Sequence, residues 1–92
     1  MPEVRFEIRW PDQSVESCYS PSTVILQYLE SGKDYPLDDF VSRCDSALSE
    51  ASERVRARYG YACSAASDQK EHIIRQAATQ PAGSVHILRI NS

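Results

Sequence analysis

Glycine is scarce in this chain (3 residues), as are cysteine (3), tryptophan (1) and long apolar runs. Without a glycine cluster there is no P-loop, no Gly-x-Gly-x-x-Gly turn and no Gly-rich oxyanion loop. The cysteines, Cys18, Cys44 and Cys63, are odd in number and form no Cys-x-x-Cys pair. With His72 and His86 they still lack the spacing of a zinc site, so no metal and no cofactor is expected. Reduced, buried cysteines acting as small hydrophobes are the expectation. The longest apolar run, Val24-Ile25-Leu26, is far short of a bilayer span. Residues 1–10 alternate charged and apolar side chains where a secretory signal needs an unbroken apolar stretch. A cytoplasmic protein with no membrane partner is therefore expected.

Positive charge is in deficit too. Ten Lys+Arg stand against 13 Asp+Glu, for a net charge of -3. That balance lacks the cationic footprint that duplex phosphates require, and no nucleic-acid partner is expected. What is present is ordinary for a soluble globular domain: 92 residues, 41% hydrophobic and 25% charged. One α+β domain over residues 1–92 is expected. A chain of this size buries about 64% of its extended surface, enough for a modest core without staples.

Residues 3–10 (EVRFEIRW) alternate strictly. Val4, Phe6, Ile8 and Trp10 share one face of a strand, and Glu3, Arg5, Glu7 and Arg9 the other. Pro11-Asp12-Gln13 is turn chemistry, and Ser14 to Tyr19 reads as the return strand of a hairpin. In that strand Val15, Ser17 and Tyr19 share a face and Cys18 lies opposite. Ser20 as cap and Pro21 at the first helical position suggest a short helix over 21–30. The β-branched Thr23-Val24-Ile25 leaves a strand over 23–29 open as the alternative. Residues 36–59 form the clearest helix. Asp38 and Asp39 suit its N-terminus, Arg54, Arg56 and Arg58 its C-terminus, and Gly60 its stop. Its apolar stripe is Phe40, Val41, Cys44, Leu48, Ala51 and Val55. A helix over 64–79 with Ala66, Ile73, Ile74 and Ala77 inward, then a strand over 84–90 with apolar residues on both faces, complete the chain. The expected order is ββαααβ. Its three-stranded, mostly antiparallel sheet has order 2-1-3, and three helices cover the face carrying Phe6, Ile8 and Trp10.

Several strings are distinctive: Ile8-Arg9-Trp10-Pro11-Asp12; Cys18-Tyr19-Ser20-Pro21-Ser22; Tyr35-Pro36-Leu37 with Phe40-Val41 and Arg43; and Ala51-Ser52-Glu53-Arg54-Val55-Arg56-Ala57-Arg58-Tyr59-Gly60 with Ala62-Cys63. Together they resemble a small bacterial family of nitrogen-starvation response proteins. The resemblance covers about residues 1–70, and the last strand fits by position. It implies a pathway and no reaction. Members look like companions encoded beside a nitrilase-type enzyme, a radical-SAM protein, an acetyltransferase-like protein and a flavoprotein, in clusters linked to nitrogen limitation and nitrile or cyanide use. No catalytic role comes with the family, so no catalytic residue is carried over. Gln13 stands where the family's hairpin turn is expected to carry Gly, which argues against a tight primed turn.

The candidate interaction surface is Arg54, Arg58, Tyr59 and Tyr61, because Arg and aromatic side chains are the usual anchors of protein interfaces. The plainer account is pairing of Arg54 with Glu50 and core capping by the tyrosines. Cys18 and Cys63 are candidate reactive thiols, Cys63 because it falls near a helix start. The plainer account there is packing at the sheet–helix boundary. His72 and His86 lack partners in the sequence that would make a metal site or a catalytic base. An unpaired edge on the second strand would allow strand addition or a homodimer. The leading expectation is a non-enzymatic accessory protein that binds an enzyme of the same gene cluster. The alternative is a small-molecule binder or thiol-dependent enzyme using Cys18 or Cys63.

Overall fold

Alternation along the first strand sets the fold. In the computed structural model, which describes residues 3–60 and 64–91, Val4, Phe6, Ile8 and Trp10 are all buried. They lie on β1 (Val4–Arg9) and at its end. β2 (Val15–Ser20) returns antiparallel beside it, pairing Phe6 with Cys18 and Ile8 with Glu16. The turn between them is a three-residue loop: Gln13 N–H donates to the Trp10 carbonyl (2.8 Å), and Trp10 N–H to the Ser14 carbonyl (2.8 Å). Gln13 has φ 75°, the left-handed position that glycine usually fills in such loops. The chain thus avoids a two-residue primed turn, as its Gln implies. Asp12 closes the loop by accepting from Ser14 N–H (2.9 Å) and Ser14 Oγ–H (2.6 Å).

The expected helix over 21–30 is replaced by one turn of 3-10 helix, Thr23–Gln27, capped by Ser22 and not Ser20. The Ser22 hydroxyl accepts from Val24 N–H (3.3 Å), while buried Ser20 donates to the Ser22 carbonyl (2.8 Å). Three consecutive β-branched residues disfavour an α-helix, and burial of Val24 and Ile25 holds the tighter turn.

A third strand, β3 (Asp34–Pro36), was not expected. It pairs antiparallel with the last strand, β4 (Ser84–Asn91), with Tyr35 opposite Val85. Three residues carry no readable period; their strand character comes from β4. Pro36 fits an edge strand because it has no N–H to give to a ladder. The sheet therefore has four strands in the order β2-β1-β4-β3 where three in the order 2-1-3 were expected. The last strand does lie beside β1, antiparallel to it. Glu7 faces Arg89 and Ile8 faces Ile87, so Leu88 is an extra, bulged residue. The bulge explains the two-faced apolar pattern of β4. It shifts the alternation so that Val85 and Ile87 are followed inward by Ile90, and Arg89 reaches Glu7 (3.7 Å).

Two helices, not three, cover the inner face. α1 runs Leu37–Tyr59 and α2 Ser64–Ala78. The stripe on α1 is largely as expected: Phe40, Cys44, Leu48, Ala51 and Val55 are buried, joined by Ala47, while Val41 is half-buried at its margin. The Phe40 ring meets Trp10 edge to face, centroids 5.7 Å apart. α2 buries Ala66 and Ile73, but Ile74, expected inward, is 43% exposed. Gly60 ends α1 at φ 82°, its N–H donating to the Arg56 carbonyl. No helix among the described residues is long and apolar enough to cross a membrane.

Candidate functional site

Arg54 and Arg58 stand one turn apart near the C-terminal end of α1. Arg54 lies 4.0 Å from Glu50, whose other oxygen accepts from the Tyr28 hydroxyl (3.1 Å). This is the i,i+4 pairing of the plainer reading, at the outer limit of an ion pair and with both side chains exposed. The Arg58 guanidinium lies 5.8 Å from the centroid of the Tyr59 ring, and Tyr59 is 49% exposed. Gly60, in the left-handed conformation, ends the helix immediately after this pair. The result is a cation stacked on an aromatic ring at a helix end, open to solvent. Tyr61 and Cys63 lie outside the described residues.

Cys18 is buried on the inner face of β2, opposite Phe6. Burial first, and the Glu16 carboxylate second, push its thiol well above the usual thiol range. Cys44 on α1 is buried too and pushed up by burial and by Cys18 nearby. A nucleophilic thiol needs exposure and a lowered pKa. Cys18 and Cys44 have neither, and both are free thiols.

Both histidines have carboxylate partners distant in sequence, which no local spacing could reveal. His72 Nε2 on α2 meets Glu16 Oε2 on β2, and Glu16 Oε1 accepts from Trp10 Nε1–H (2.8 Å). His86 Nδ1 meets Asp34 across the β3–β4 ladder. Strand parity was the available signal for the first pair: Glu16 shares the inner face with Cys18, where a carboxylate must find partners. Among the described residues, no group of three or more His, Cys, Asp or Glu is placed to hold a metal ion.

α2 also lies along the β2 edge. Gln69 Oε1 accepts from Tyr19 N–H (3.1 Å), His72 meets Glu16, and Gln80, just past the helix, exchanges bonds with Asp12 (3.2 and 3.3 Å). Three polar side chains thus fasten this segment to the hairpin from Tyr19 down to the turn. Part of the edge that strand addition would use is occupied.

The family model of the nitrogen starvation-induced protein NitG matches residues 5–90. The chain belongs to the NitG family. The resemblance over residues 1–70 thus extends through β4, and the NitG description places the chain among proteins induced by nitrogen starvation. No curated protein and no solved structure matches the chain.

Proposed function

We propose that this NitG-family protein is a non-enzymatic accessory protein. It docks onto an enzyme encoded beside it, such as the nitrilase-type enzyme, during nitrogen limitation. The docking surface is the C-terminal end of α1, with Arg54, Arg58 and Tyr59; Tyr61, also expected to take part, lies outside the described residues. The observation that carries this reading is the Arg58–Tyr59 contact, with Tyr59 half exposed at the end of α1. Such a pair presents a large contact surface at low entropic cost, and three arginines in two turns favour an acidic patch on the partner. The sealed state of Cys18 gives the thiol-dependent alternative no support through that residue, and Cys63 lies outside the described residues.

The test is co-expression of the tagged protein with that enzyme, followed by a salt wash. Stoichiometric recovery is the expected result. Arg58→Ala with Tyr59→Ala should reduce recovery while leaving the melting temperature close to that of the parent. Full recovery with the double variant would remove this surface; no recovery with the parent chain would remove the accessory role for that enzyme.

A further inference from the structure

The chain between the 3-10 turn and β3 folds back toward α1 and leaves an open bowl of about 200 Å³. Tyr28, Glu30, Lys33, Tyr35 and Arg43 line it. Arg43 is held from three directions. Its Nε pairs with Asp39 Oδ2 (2.9 Å), its Nη1 donates to the Tyr28 carbonyl (2.8 Å), and its guanidinium lies 4.8 Å from the centroid of the Tyr35 ring. Tyr35 is buried, and its hydroxyl accepts from Glu30 N–H (2.9 Å). This half of the bowl is therefore preorganised.

The other half is loose. Lys33 and Glu30 pair at 2.8 Å, but their side chains are 62% and 65% exposed. Glu30 raises the pKa of Lys33 first by hydrogen bonding and then by charge, and the Arg43 guanidinium is near enough to oppose it. Lys33 and Arg43 line the same bowl, and two cations facing one opening favour an anion there. On the Lys33 side the carboxylate is Glu30, solvent-exposed and from the same loop, in an ion pair of a kind worth little by itself; on the Arg43 side it is Asp39. A stacked guanidinium with a second cation beside it is a common arrangement for recognising carboxylate and phosphate.

We propose that this bowl binds a small oxyanion, a carboxylate or phosphate group, at Lys33 and Arg43, and that Glu30 takes the ligand's place when the site is empty. An incoming anion displaces Glu30 from Lys33 and leaves the Arg43–Tyr35–Tyr28 framework unchanged. The site is separate from the Arg58–Tyr59 surface and does not depend on it.

The experiment is an amide chemical-shift titration of the full chain with sodium succinate and, separately, sodium phosphate, at fixed ionic strength, with sodium chloride as control. Saturable shifts around Glu30, Lys33 and Arg43 with either anion are expected, and the one that saturates at lower concentration identifies the head group. Lys33→Gln should weaken binding about fivefold, and Glu30→Gln should tighten it about threefold by freeing Lys33. Both positions are exposed, so an unchanged spectrum elsewhere confirms the fold of each variant. Unsaturable shifts shared with chloride would overturn the site. So would two variants that move the affinity in the same direction or leave it unchanged.

Discussion

Glu16 and His72 meet side chain to side chain although 56 residues separate them, and the same Glu16 carboxylate holds the indole N–H of Trp10. One acidic residue thus joins the hairpin, the largest core side chain and α2. Glu16 is on the core-facing side of β2 by parity, and its side chain is only 23% exposed. Glu16→Ala leaves the buried indole N–H without its partner, which costs about 1–2 kcal/mol. Glu16→Gln retains an acceptor for Trp10 and loses the charged partner of His72, so it should cost less. Urea unfolding followed by Trp10 fluorescence checks both, since Trp10 is the only tryptophan. Equal stability of Glu16→Ala and the parent would show that the indole bond contributes nothing.

The two buried thiols make stability depend on alkaline pH. Their folded-state pKa values are raised, so each contributes stability that is complete below the unfolded thiol's pKa, about 8.5, and lost as pH rises above it. Cys18→Ala removes one such group. The stability difference between parent and Cys18→Ala should therefore shift against the parent by on the order of 1 kcal/mol between pH 7 and pH 9.5. Urea melts of both chains under reducing conditions measure it. A difference constant with pH would mean that the thiol ionises as readily when folded.

Gln13 and Gly60 occupy nearly the same backbone conformation, φ 75° and φ 82°, with opposite residue choices. A side chain in the left-handed region costs about 1–2 kcal/mol, and glycine's extra freedom in the unfolded chain offsets about half of that. Gln13→Gly should therefore raise stability by about 0.5–1 kcal/mol. Gly60→Ala should lower it by about 1 kcal/mol through the backbone, because among the described residues no atom beyond the chain neighbours lies within 4 Å of the added Cβ. Thermal melts of the two variants should move in opposite directions; a shared direction would refute the backbone argument.

Sequence reading succeeded where one residue's environment follows from its neighbours. The period-two pattern of Val4, Phe6, Ile8 and Trp10 and the stripe from Phe40 to Val55 each imply one buried face, and each is buried as implied. It failed where a distant partner decides. Tyr35 is in a strand because Val85 is opposite it. Thr23-Val24-Ile25 had two local options, and packing against the core selected a 3-10 turn that neither described. The candidate surface was half legible: arginines at one-turn spacing could be read, but the placing of the Arg58 guanidinium over the Tyr59 ring depends on side-chain conformations the sequence does not show. The Tyr28–Lys33–Tyr35–Arg43 bowl was illegible because it gathers residues from a turn, a loop, a strand and a helix.

Gln69 decides how open the β2 edge is. In an antiparallel ladder alternate residues turn both backbone groups outward, and the bond from Tyr19 N–H to Gln69 places Tyr19 in that set, with Ser17 two residues earlier. Tyr19 is capped by a side chain of α2; no hydrogen bond to Ser17 N–H is formed among the described residues. Hydrogen exchange should therefore separate two chemically similar edge amides, slow at Tyr19 and fast at Ser17. Gln69→Ala should bring Tyr19 to the rate of Ser17 and leave Phe6 and Ile8, inside the sheet, protected. The same variant removes the Gln69 side chain from the β2 edge, so any strand-to-strand dimer should strengthen with it, visible as concentration-dependent sedimentation. If Tyr19 exchanges as fast as Ser17 in the parent chain, α2 does not guard this edge, and the homodimer route through β2 is open without any mutation.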